Sequence, residues 1–437
     1  MFEMPVAGLV YDLAPLMDWH ARLTERFSAP FANRFRQLML QASSMATSFR
    51  SQGIGEVADA MHNLASLIDY LQLRRRHFVA LLHVLPKACR GTVCMGPLDA
   101  LTVMLPIVEF MGIPMMSAHG GLMARLARES LGLPVKGGVE IPMLDPGFLE
   151  PERSRIDEIR WQEEGYKHFY AMRGTLRSDR LFSAAELRND IATIEAAYAE
   201  FDLAGSDFAI AAALVRRLSR QCVVHDFWVE IAPGMLEAML DAAKAPSVLR
   251  AALLRPASSY MEGLSSYAPF VQLDGMLRST VTLLSRFIYN WRARTLDSRK
   301  RYQIRTGFIF ETVVKDRLTE QGFAVQEVKR INRREFDVVT VLEGVVWNVQ
   351  CKNNFVDLAT VDSDARRFAR YNRALIKAYE KALDKERRRE HLLQARLSIA
   401  HVQHMVVTRF PVVCDNPRIV PFSRIDEFVS RARALLA

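Results

Sequence analysis

The spacing of apolar positions divides the chain in two. Up to about residue 298 they recur at helical intervals, as in SDFAIAAALVRRLSRQC (206–222) and LDGMLRSTVTLLSRFIYNWRART (273–295). Ala, Leu, Met, Arg and Glu dominate, and the pattern predicts a mostly α-helical region. A punctuated stretch, LPVKGGVEIPMLDPGFLEPERS (133–154), carries Gly-Gly and several prolines and marks a candidate internal break. Past TLDSRKRYQIRTG the texture changes. A helix over about 302–320 ends at Gly322, and three short β-type runs follow: FAVQEVKRI, REFDVVTVL and VVWNVQCK. A long helical stretch over about 362–395, a strand in HMVVTRFPVV and a last helix in RIDEFVSRARALLA complete the chain. The order α-β-β-β-α-β-α predicts a compact α/β domain with a central mixed sheet over residues 299–437. The expected organisation is multidomain α+β, with a helical region over residues 1–298 of unreadable function.

Several polar residues interrupt elements that otherwise build a core. Side chains alternate along a strand, so Gln350 and Lys352 share one face of VVWNVQCK, while Cys351 points to the other with Val345, Trp347 and Val349. Asp337 lies in the preceding run, and a tight corner at Glu343-Gly344 can bring it close to Gln350. In the preceding helix Ile304, Phe308 and Leu318 fall within about 80° of one another on a helical wheel, and Glu311 falls inside that stripe. A buried charge needs a partner or a metal. Otherwise the helix is rotated enough for Glu311 to reach solvent.

Composition and charge narrow the picture. Half of the 437 residues are hydrophobic and 24% are charged, as expected of a globular chain. Residues 300–437 hold 26 Lys and Arg against 17 Asp and Glu, the same excess of nine that the whole chain shows (58 against 49), so the rest balances. A localised basic balance suits a polyanion-binding module. The most apolar stretch, residues 100–118, is broken by Pro106, Glu109 and Pro114, so a buried helix and turn are expected there and no membrane span. No secretory leader is expected from the opening residues. Five scattered cysteines make neither a disulfide framework nor a zinc ribbon, and His401 and His404 read as polar residues at a strand start. A reduced, cytoplasmic setting fits.

The set Glu311, Asp337 and Gln350-x-Lys352 resembles the motif of the PD-(D/E)XK nuclease superfamily, the restriction-endonuclease-like fold. The ending VQCKN is similar to the Mrr-like branch, where Gln stands in place of the second acid. The resemblance covers roughly residues 300–437. The Pro or Gly near the family's Asp is absent here, where the sequence reads Glu335-Phe336-Asp337. The resemblance implies a magnesium- or manganese-dependent nuclease, a DNA endonuclease with a restriction or defence role. Asp337 would anchor the metal, with the Gln350 amide oxygen and the Cys351 main-chain carbonyl as further ligands. Glu311 would bind it directly or through water. Lys352 would orient the attacking water or stabilise developing charge. A non-catalytic nucleic-acid-binding or regulatory scaffold on the same fold is the alternative.

Two groups of basic residues accompany the motif. Lys329, Arg330, Arg333 and Arg334 precede Asp337 and are placed to meet backbone phosphate. Arg366, Arg370, Arg373 and Lys377 make a helical stripe opposite Phe368, Tyr371, Leu375 and Tyr379. That stripe reads equally as a phosphate track or as the solvated face of an amphipathic helix. Double-stranded DNA is the expected partner, and cutting two strands with one site per chain favours a homodimer.

Overall fold

A computed structural model describes residues 77, 80–81, 107–135, 184–225, 228–254, 260–264, 266–273, 275–354, 364–410 and 412–436. The chain forms two compact units. The first comprises residues 1–116 and 162–298, the second residues 117–161 and 299–437. The division at Ser298 and Arg299 falls where the sequence pattern changes. Most of helix α1 (Ile113–Ser130), however, belongs to the second unit, although it lies far upstream in sequence. The candidate break over 133–154 falls almost entirely outside the described residues. Among the described residues, no helix is long and apolar enough to cross a membrane.

In the first unit, helices α2 (Ala184–Ala197) and α3 (Asp207–Gln221) pack with a later helix, α7 (Val281–Asp297). Their contact buries Leu187, Ile191, Phe208, Val215, Leu284 and Phe287. Ser206 and Thr280 cap α3 and α7, accepting hydrogen bonds from the main-chain N–H of Phe208 and Leu283. Between α3 and α7 lie strands β1 (Val223–His225) and β2 (Trp228–Ile231), helices α4 (Pro233–Ala242), α5 (Ser247–Leu254) and α6 (Tyr260–Leu264), and strands β3 (Val271–Leu273) and β4 (Met276–Thr280). The strands pair antiparallel in the order β1-β2-β4-β3. This sheet corrects the all-helical expectation for 273–295: the first part of that stretch is β4. The turn into it uses Gly275 at φ +76°, and Arg278 on β4 ion-pairs across the ladder with Glu230, at 2.6 Å.

The second unit is built on a five-stranded mixed sheet. Helix α8 (Lys300–Glu320) ends before Gly322, which takes φ +88°. Strands β5 (Ala324–Gln326), β8 (Val338–Leu342) and β9 (Val345–Lys352) are antiparallel neighbours. A two-residue ribbon, β6 (Arg330–Ile331) with β7 (Arg334–Glu335), projects between β5 and β8, where the sequence had suggested continuous strands. The β8–β9 corner is the two-residue turn Glu343-Gly344, at φ +51° and +75°. Positive φ at both central positions matches the twist of a tight hairpin, and glycine at the second costs no steric strain.

Helices α9 (Ala365–Arg387) and α10 (Glu390–Leu397) then lead to β10 (Val402–Thr408) and β11 (Ile419–Pro421), both parallel to β9. Helix α11 (Phe428–Ala434) closes the chain. The sheet order is β11-β10-β9-β8-β5. Residues 345–350 are all buried because both faces are covered. On one face Trp347 and Val349 pack with Phe310 and Val314 of α8 and Phe428 of α11. On the other, α9 packs through Phe368, Leu375 and Tyr379 against Val406 of β10 and against Met123, Ala124 and Ala127 of α1. Leu393 of α10 covers Val339 and Val346 on that face.

Candidate active site

Asp337 sits between β7 and β8, at the mouth of the hairpin. The β8–β9 register ends with Val338 opposite Val349, which sets the Asp337 side chain beside the last turn of β9. Its Oδ2 accepts a hydrogen bond from the main-chain N–H of Cys351, at 2.8 Å. Burial raises the Asp337 carboxyl above the ordinary range and the Glu386 charge adds to the rise, while the Cys351 N–H and the charges of Lys352 and Arg389 oppose it.

Glu311 lies on α8, half-buried. Burial pushes its carboxyl up to about 7, and the nearby Asp337 charge adds to the push; Glu335 raises it further, whereas Lys315 and Lys329 lower it. The Asp337 charge is therefore near enough to disfavour ionisation of Glu311. The face of α8 that reaches the core differs from the expected one. Tyr302, Thr306, Phe310, Val313, Val314 and Leu318 are buried, whereas Ile304 and Phe308 are 48% and 56% exposed. Glu311 stands at the edge of the buried face, not at its centre. Its half-exposed carboxylate is consequently open to a ligand.

On β9, Gln350 is buried and Lys352 Nζ donates to its Oε1 at 3.3 Å. The Gln350 Nε2 is buried without a hydrogen-bond partner. Cys351 packs its side chain against the Trp347 cluster, and burial pushes its thiol up well above the ordinary range. That side chain is structural, and its main chain faces the site through the bond to Asp337. The structure thus assembles Glu311, Asp337 and the end of β9 at one end of the sheet.

The basic residues are at the surface. Lys329, Arg330, Arg333 and Arg334 are exposed on and beside the β6–β7 ribbon, where Arg330 pairs with Glu335. Arg366, Arg370, Arg373 and Lys377 are exposed along α9, with Phe368, Leu375 and Tyr379 buried beneath. Asp364 caps α9, accepting from the N–H groups of Arg366 and Arg367.

Sequence reasoning missed a buried polar network under the site. Glu386 of α9 is 1% exposed; it pairs with Arg389 and accepts from Asn348 Nδ2 at 2.8 Å. Arg389 stacks over Phe336, the residue before Asp337, at 4.7 Å from the ring centroid. His404, expected as a polar residue at a strand start, is buried within β10, 3.2 Å from Asn348 Nδ2 and 3.3 Å from Glu390 Oε2. Burial lowers its basicity. His401 is exposed just ahead of the strand. Among the described residues, no group of three or more His, Cys, Asp or Glu side chains is placed to hold a metal ion. Compared with protein-family models, with curated proteins and with solved structures, the chain gives no match.

Proposed function

We propose that the second unit is a metal-dependent nuclease domain of the restriction-endonuclease-like type, hydrolysing phosphodiester bonds in DNA. The observation that carries this reading is the gathering of Glu311 and Asp337 at the end of β9, near enough for the Asp337 charge to act on Glu311. Burial raises both carboxyls, the Asp337 charge raises Glu311 further and the Glu386 charge raises Asp337 further, and a bound dication would favour the ionised form of each. The donor set is hard oxygen, which suits magnesium or manganese and not zinc. Asp337 and Glu311 are the residues that would hold it, with the Cys351 main-chain carbonyl as a further oxygen. A bound dication supplies Lewis acidity and an activated water.

The protein's own groups do the rest. The Cys351 N–H fixes the Asp337 carboxylate through Oδ2, leaving Oδ1 free to ligate. Lys352, at the open end of β9, brings positive charge to the place where the attacked phosphorus gains negative charge. The exposed arginines of the β6–β7 ribbon and of α9 offer contacts for backbone phosphates. A cytoplasmic restriction or defence role, and a homodimer that cuts both strands, extend the same reading.

The test is direct. Purified protein is incubated with plasmid, linear duplex and RNA plus magnesium or manganese, beside Asp337→Ala and Lys352→Ala. Cleavage by the wild type and its loss in both variants is expected. Intact substrates throughout, or variants that cut as well as the wild type, would overturn the assignment.

A further inference from the structure

The end of β9 presents two side-chain amides in an unusual state. Gln350 and Asn353 lie three positions apart, and each has a buried NH2 group with no hydrogen-bond partner. In both, a cation holds the amide oxygen. Lys352 Nζ donates to Gln350 Oε1 at 3.3 Å, and Arg409 Nη1 donates to Asn353 Oδ1 at 3.0 Å. Turning either amide over would set an NH2 against a cation, so the orientation of each is fixed by its charged neighbour. Arg409 is itself placed by the fold. Its main-chain N–H donates to the Lys352 carbonyl at 3.0 Å, one step beyond the parallel pairing of Thr408 with Lys352.

An unpaired buried donor is costly, and these two cannot relax by rotation. Gln350 is 7% exposed, so bulk water does not satisfy it. Trp347 Nε1 also lacks a partner, but it sits among Phe323 and Phe428 inside the core. The two amides stand instead beside Lys352 and Arg409, at the end of the strand that carries the site. Donors without acceptors, backed by two cations, describe a place for an anion's oxygens. An acid at either position would face that anion with a like charge.

We propose that Gln350 and Asn353 donate hydrogen bonds to non-bridging oxygens of a phosphodiester, making the end of β9 an oxyanion subsite held in shape by Lys352 and Arg409. The identity of the anion rests on the nuclease reading of the same site. On this proposal Gln350 serves the substrate through its nitrogen, and metal binding falls to Asp337 and Glu311. Asn353 and Arg409 become substrate-positioning residues outside the four-residue motif.

The experiment measures binding of the full chain to a fluorescein-labelled DNA duplex by anisotropy, with calcium as the hard dication. A second duplex of the same sequence carries neutral methylphosphonates at its central linkages. Wild type, Gln350→Glu, Asn353→Asp and Asn353→Ala are compared, with thermal unfolding as the control for folding. The wild type is expected to lose affinity for the methylphosphonate duplex. Each charged variant is expected to bind the ordinary duplex about tenfold or more weakly, and to lose much less on methylphosphonate replacement. Asn353→Ala, which deletes the donor without adding charge, should shift both readings in the same directions. Variants that bind like wild type, or that keep its full methylphosphonate penalty, overturn the subsite. Cleavage of the ordinary duplex in magnesium is read in parallel. Cleavage without this coupling refutes the subsite and leaves the nuclease reading; coupling without cleavage does the reverse.

Discussion

The Asp337 carboxylate is held at 2.8 Å by the main-chain N–H of Cys351, fourteen positions later in the chain. This bond ties the approach to β8 to the last turn of β9. It uses the backbone of a residue whose side chain is committed to the core, so the anchor is as rigid as the sheet. Asp337→Asn keeps an oxygen for that N–H and removes a buried charge. In metal-free protein the variant should melt at a higher temperature than wild type, because burial and the Glu386 charge both disfavour the carboxylate. Added magnesium should raise the melting temperature of wild type and leave the variant unmoved. Calorimetry with and without the ion reads both effects.

Glu311 gives the site a pH dependence of definite sign. Its carboxyl is raised to about 7 in the fold, so the folded chain holds that proton more tightly than the unfolded chain does. Stability contributed by the protonated form is therefore present below the ordinary Glu range and is lost as pH rises toward about 7. A dication favours the ionised form. Metal binding should tighten as pH climbs through about 7 and should release a proton on the acid side. Titration calorimetry at about pH 6 and pH 8, in buffers of different ionisation enthalpy, measures the proton count. Glu311→Gln should abolish the release; an equal release in that variant would contradict the assignment.

Helix α8 separates two phenylalanines that the sequence does not. Phe310 is buried in the aromatic cluster, 5.6 Å from Phe422 between ring centroids, whereas Phe308 faces outward. Phe310→Ala should destabilise the protein by about 3–5 kcal/mol. Phe308→Ala should change stability by about 0.5 kcal/mol or less. Urea unfolding of the two variants side by side distinguishes them.

The pair Glu386 and Arg389 bridges the break between α9 and α10 and supports Phe336 beside Asp337. Removing one member of a buried pair leaves the other uncompensated, at a cost of about 3–5 kcal/mol. Glu386→Ala should therefore lower unfolding stability by that order. Glu386→Gln, which keeps an acceptor for Asn348, should lower it less. Equilibrium denaturation of both variants checks the ranking.

Much of the second unit was legible because its signals are local. Strands β8 and β9 are short runs rich in Val around Glu343-Gly344, and β9 spans the residues its pattern marks. Helix α8 was legible in extent but not in phase, since Ile304, Phe308, Ile309 and Phe310 leave it apolar nearly all round. Thr306 is buried because its hydroxyl bonds back to the Tyr302 carbonyl, an option that a wheel of apolar residues overlooks. Strand β4 was hidden by the helix that begins at its last residue. Strand β11 is three residues long, too short to show a period. Glu386 did leave a trace: it falls three positions after Leu383 and seven after Tyr379, on the buried side of α9. Asn353 and Arg409 left none. Their bond depends on β10 lying parallel to β9, a long-range pairing that no local window contains.

Helix α1 lends the architecture a temporal dimension. Its apolar residues Met123, Ala124 and Ala127 mate with α9, and Arg128 grips Asp415 through two hydrogen bonds of 2.6 and 2.7 Å. On the ribosome this helix emerges long before α9 exists, and must wait while residues 162–298 are made. The two units are interlaced along the polypeptide, so no single cut separates them. A fragment beginning at Arg299 would lack α1 and bare part of the α9 surface around Phe368 and Leu375. The unit that holds Asp337 is thus begun early and closed late, and its maturation waits on the final third of synthesis.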